Sequence, residues 1–185
     1  MQEAEPHPTS PSCNEDRHTV DRVFRTIAAV ARGDAEPEYR CDLDSHADTC
    51  VAGANTLCIS DEDHHVVVHA FSGDFAPVKN IPVATVATMW IHPDTGQPYI
   101  LVINEALYFG DRLTSTLLCP NQLRVNGLRV EDVPRQFDAT SSHAICTQDK
   151  RIKIPLSLIG VASGFESRKP TWDEYNQYPH TELQL

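Results

Sequence analysis

The chain is poor in the features that mark several large classes of protein. It has 8 glycines, 2 methionines and 2 tryptophans in 185 residues, and its aromatic content is 7%. No apolar run approaches the ~20 residues a membrane span requires, so a membrane partner is not expected. There is no cluster of Lys or Arg, and the formal charge is −11, which argues against nucleic acid as a direct partner. The first residues lack the charged-then-apolar pattern of a signal peptide, which points to an intracellular, cytoplasmic setting. None of the six cysteines forms a Cys-x-x-Cys pair, and no Cys/His spacing fits a zinc finger. In a reducing compartment, Cys13, Cys41, Cys50, Cys58, Cys119 and Cys146 read as free, mostly buried thiols. No internal repeat is visible, and neither a cofactor nor a resident metal is expected.

What is present divides the chain into three. Residues 1–37 combine a Pro, Glu, Ser and His-rich stretch, expected to be disordered, with an amphipathic helix. In that helix Val20, Val23, Phe24, Ile27, Val30 and Ala31 share one face, with Thr19 to cap its start and Gly33 to end it. Residues 38–162 form the domain proper, and 163–185 read as a polar tail carrying Trp172, Tyr175 and Tyr178. The domain is rich in short apolar runs broken by turn residues, which predicts a mainly β unit. The strand candidates are Thr56–Ser60, His65–Phe71, Val83–His92, Tyr99–Tyr108, His143–Thr147 and Arg151–Ile159. Pro93-Asp94-Thr95-Gly96 predicts the turn of a hairpin. A short helix is expected from Pro120, a favoured first helical position, to a cap at Gly127.

One stretch carries chemistry. Leu43-Asp44-Ser45-His46-Ala47-Asp48 places a carboxylate after an apolar residue and before a hydroxyl and a small residue. The plain alternative is a polar turn or helix cap, because Asp, Ser and His side chains bond readily to nearby backbone N–H groups. A second stretch lies downstream: Leu107-Tyr108, then Leu117-Leu118, then Gln122-Leu123 and Gly127.

Together the two stretches resemble the protease region of copia-type LTR retrotransposon polyproteins, a branch of the retropepsin-like aspartic peptidases. The first is similar to that family's Asp-Ser/Thr-Gly-Ala loop, with His46 where the family has glycine. The second is similar to its apolar pair leading into a short, glycine-ended helix. Ile154–Leu158 and Arg168–Thr171 are similar to segments further downstream in such elements.

The resemblance implies a retropepsin-like closed β-barrel half with one short helix. It implies a homodimeric aspartic endopeptidase that cuts a polypeptide, its own polyprotein included. Asp44 is then the catalytic acid of each chain. Ser45 braces the loop against its twin, and His46, Ala47 and Asp48 complete the loop. A hairpin around Val83, Ala84, Thr85, Val86 and Ala87 is then the flap that closes on substrate. Asp94-Thr95-Gly96 repeats the catalytic triplet, but it lies about fifty residues from Asp44, too close for a second complete lobe. Two further readings stay open: a dimerising β-domain without activity, and a metal site built from His64, His65 and His69 with the Asp44 loop.

Overall fold

In the computed structural model, residues 39–69, 74–148 and 151–183 are described. The amphipathic helix and acidic stretch expected within 1–37 lie outside them. The described residues form twelve strands and two short helices. They run β1 (Arg40–Leu43), β2 (Val51–Gly53), β3 (Leu57–Val68), β4 (Val78–Ile91), β5 (Pro98–Gly110), β6 (Thr116–Leu118), α1 (Pro120–Val125), β7 (Arg129–Glu131), β8 (Ala144–Cys146), β9 (Lys153–Pro155), β10 (Ser157–Ile159), β11 (Ala162–Glu166), α2 (Trp172–Gln177) and β12 (His180–Glu182). No helix among the described residues is long and apolar enough to cross a membrane.

Nine strands make one sheet in the order β10-β11-β1-β6-β2-β5-β4-β3, with β12 added beside β5. A second sheet holds β7-β8-β9. The mainly β expectation is met, but the closed barrel is not. The order ends at β3 and β10, which do not pair, so the sheet stays open. Edge strand β3 carries Asp61, Asp63, His64 and His65 in solvent, the charged dressing that discourages further strand pairing.

The centre of the sheet follows from β4 and β5. Their pairing runs from Val83↔Leu107 to Ile91↔Pro98 around the turn at Pro93–Gly96, where Gly96 N–H bonds to His92 O at 2.8 Å. Asp94 is exposed on that turn. β4 is apolar on both faces and is covered on both. Ala84, Val86 and Trp90 join the main core, Val83 packs with Val51 and Leu107, and Ala87 and Met89 pack with Ile100 and Val102.

The segment expected as a polar tail from 163 is part of this fold. The boundary falls inside β11, which pairs with β1 from Arg40↔Glu166 to Asp42↔Gly164. Thr171 and Glu174 form a capping box that starts α2, and Tyr175 and Tyr178 lie against the Ala87–Met89–Ile100–Val102 cluster. β12 then runs parallel to β5, His180↔Ile100 to Glu182↔Val102. The polarity that suggested a tail belongs to the solvent side of α2.

The strands that bear the ends of the Asp44 loop are tightly set. Gly53, at a register shift between β2 and β5, donates its N–H to Thr116 Oγ1 at 3.1 Å. A Cβ on Gly53 would meet the carbonyl oxygens of Leu113 and Ser115 at 2.6 Å each. Gly53→Ala is therefore expected to cost about 2–3 kcal/mol by overpacking against backbone, read as a lowered thermal midpoint.

The two sheets are pinned by His143, which sits in the left-handed region at φ 43° just before β8. Its Nε2 lies 2.9 Å from Ser163 Oγ on β11, with both residues buried. Burial lowers the His143 pKa below the ordinary value; Arg135 adds to this and Asp132 opposes it. A histidine depressed in the folded state stabilises fully above its unfolded pKa of about 6.5, and that stability is lost as pH falls below it. Urea unfolding at pH 7.5 and pH 5.5 is expected to give a smaller difference for His143→Gln than for the natural chain.

Candidate functional site

The Asp44 stretch forms a loop between β1 and β2, and β6 lies between those two strands. β6 runs parallel to β1 (Cys41↔Thr116 to Leu43↔Leu118) and antiparallel to β2 (Val51↔Leu117). The loop thus leaves one side of β6 and returns on the other. Its near end is fixed where Asp44 N–H bonds to Leu118 O at 2.9 Å. Its far end is fixed where Gln122 Oε1 accepts the Cys50 N–H at 2.7 Å and the Thr49 hydroxyl at 3.2 Å. Leu107 N–H adds a bond to Cys50 O at 3.0 Å.

Inside the loop, Asp44 is 5% exposed, and its Oδ1 accepts the His46 N–H at 2.9 Å. This local bond is the side-chain turn that Asp residues make two positions on. Asp48 stands exposed. Ser45 and His46 are exposed, with Ser45 Oγ 3.4 Å from His46 Nδ1. Ala47 turns into the main core cluster at 8% exposure.

Below the loop sit three thiols, one beside each strand of the unit. Cys41 and Cys50 are fully buried, Cys119 nearly so, and Cys119 N–H points to Cys50 Sγ at 3.4 Å. Burial pushes the Cys41 and Cys50 thiols up to about 12. They are neutral and unreactive packing groups at physiological pH.

The flap expected at Val83–Ala87 is corrected. Val83, Ala84, Val86 and Ala87 are buried, and Thr85 bonds to Asn104 Oδ1 at 3.1 Å, all within a strand flanked by β3 and β5. A strand held on both edges and both faces does not open. Beyond Val83 the partnership with β5 ends, and β3 and β4 continue as a two-stranded ribbon, His65↔Pro82 to Val68↔Val78. The inner Val68 and Ile81 of this ribbon pack with Val51, the first residue after the loop. Near its end Val67, Phe75 and Val78 are exposed.

Other candidate groups stay apart. Among the described residues, no three His, Cys, Asp or Glu side chains form a group able to hold a metal ion, so His64, His65 and His69 do not gather with Asp44. A cavity of about 630 Å³ is lined by Tyr39, Met89, Trp90, Phe165 and Arg168, at the start of β1. Asp44 lies five residues further along, roughly 16 Å by strand rise, and does not line it. A second cavity of about 580 Å³, beside Tyr99, Leu128 and His180, does not reach the loop either.

Gln122 was legible only as part of the helix pattern; nothing in its spacing marks it as a contact of Thr49 and Cys50. Comparison with protein-family models, curated proteins and solved structures gave no match.

Proposed function

We propose that this chain is an aspartic endopeptidase of the retropepsin-like kind, active as a homodimer with one Asp44 from each copy. The observation that carries the reading is the meeting of two stretches about seventy residues apart. Asp44 bonds to Leu118, and Cys50 bonds to Gln122, so the acid loop and the apolar pair with its helix form one unit. The resemblance joined the same two stretches on sequence alone.

In this reading two Asp44 carboxyls meet on a two-fold axis. Carboxyls held that close cannot both ionise and share one proton. One takes a proton from water as it attacks the peptide carbonyl, and the other gives a proton to the leaving side. The exposed tip Ser45-His46 is the part of each loop free to meet its twin. The β3–β4 ribbon, resting on Val51 beside the loop, takes the role of the lid over an extended polypeptide.

Cleavage of an unstructured peptide mixture between pH 3 and 8 tests this; the range spans carboxylate and histidine titration. The expected result is pepstatin-sensitive cleavage by the natural chain. A second reading, a dimerising β-domain without activity, draws on His46 in the glycine position and on the 5% exposure of Asp44 in the single chain. A stable dimer that cleaves nothing across that range selects it.

A further inference from the structure

The loop is held at both ends by one continuous piece of chain. Leu118 closes β6, and Gln122 stands in the first turn of α1, four residues on. That piece is itself rigidly set. Leu118 and Leu123 are fully buried, Pro120 occupies the first helical position, and Cys119 Sγ accepts the Gln122 N–H at 3.4 Å.

Within the loop, Ala47 N–H bonds to Asp44 O at 3.3 Å and His46 N–H to Asp44 Oδ1 at 2.9 Å, and Leu107 N–H bonds to Cys50 O at its far end. Gln122 is half-buried, and among the described residues its side chain bonds only to Thr49 and Cys50. Its amide orientation is forced. With Thr49 at 2% and Cys50 at 0% exposure, water cannot replace the acceptor, and a flipped amide would set donor against donor.

We propose that Gln122 is the positioning residue of the acid loop: its amide oxygen takes the Cys50 N–H and the Thr49 hydroxyl together, and so sets where the arm that closes the Asp44 loop returns to the sheet. The importance of that placement rests on the endopeptidase reading; the placement itself does not. A residue that merely stabilised α1 would act through burial, which Leu123 and Pro120 already supply.

The test compares Gln122→Glu, which keeps an acceptor oxygen, with Gln122→Met, which keeps length and lacks one. Amide hydrogen exchange at Cys50 is read in the full chain against Ile103, a fully buried residue of β5 that reports global opening. For Gln122→Met, Cys50 exchange is expected to rise about tenfold relative to Ile103, and Gln122→Glu to restore it. Where peptide cleavage is present, kcat falls by roughly ten- to a hundredfold in Gln122→Met, with KM little changed. Equal protection of Cys50 in all three chains, or no rescue by Gln122→Glu, overturns the proposal. If the natural chain cleaves nothing while the exchange pattern holds, the endopeptidase reading fails and the role of Gln122 stands.

Discussion

Asp44→Asn is expected to abolish peptide cleavage, by at least on the order of 10³-fold, while leaving the fold almost untouched. General acid–base groups contribute about 10²–10⁴ each, and the substitution removes the acid from both copies of a symmetric pair at once. The replacement side chain keeps an oxygen in place for the His46 N–H bond, 2.9 Å in the natural chain. Stability should change by less than about 1 kcal/mol. Initial rates on a fluorogenic peptide, with urea unfolding run in parallel, separate the two effects. A large loss of stability would mean that Asp44 is chiefly a turn-forming residue.

Asn55→Ala is expected to be among the most damaging single changes, at about 3–5 kcal/mol in urea unfolding. Asn55 is fully buried between the strands that carry the loop. Its Nδ2 donates to Arg40 O at 3.0 Å and to Ser167 Oγ at 2.8 Å, and its Oδ1 accepts the Thr116 hydroxyl at 2.7 Å. Its own carbonyl takes the Thr88 hydroxyl at 2.8 Å. One side chain thereby ties β1, β6 and the chain just after β11. Alanine keeps the carbonyl that Thr88 bonds but removes the side-chain partner of Arg40 O, Ser167 Oγ and the Thr116 hydroxyl in the buried interior, and a buried polar group that loses its partner costs about 1–3 kcal/mol. Asn55→Asp should recover little, because its ionised side chain cannot donate to Arg40 O.

Local chemistry was legible in the sequence where one residue type decides the conformation. Pro120 and Gly127 bracket α1 closely, with Gly127 at φ +86°. The Pro93–Gly96 turn and the β4–β5 hairpin follow from turn residues between apolar runs. The flap that the resemblance implies at Val83–Ala87 fails because neighbouring residues of this run, which point to opposite faces of β4, are both buried. A strand apolar on both sides is a central strand, covered on each face. Thr56–Ser60 and His65–Phe71 read as two strands, whereas one strand, β3, runs from Leu57 to Val68 through an irregularity between Asp61 and His65, where Asp63 sits at φ 36°.

The role of 163–183 was hidden for another reason. β11 makes a local hairpin with β10, but its other partner β1, and β5, the partner of three-residue β12, lie far away in sequence. Pairings of that kind leave no local pattern. The Asp44 loop itself was visible as a motif, whereas its anchoring by Gln122 is a tertiary contact that no spacing announces.

The most direct measurement is the separation of the two Asp44 carboxyl groups in the assembled protein, from a crystal structure of the full chain in its solution oligomeric state. The account predicts a two-fold dimer in which one carboxyl lies within about 3 Å of the other, sharing a proton. A monomer, or a dimer that meets elsewhere and leaves the two loops separated by solvent, would contradict it.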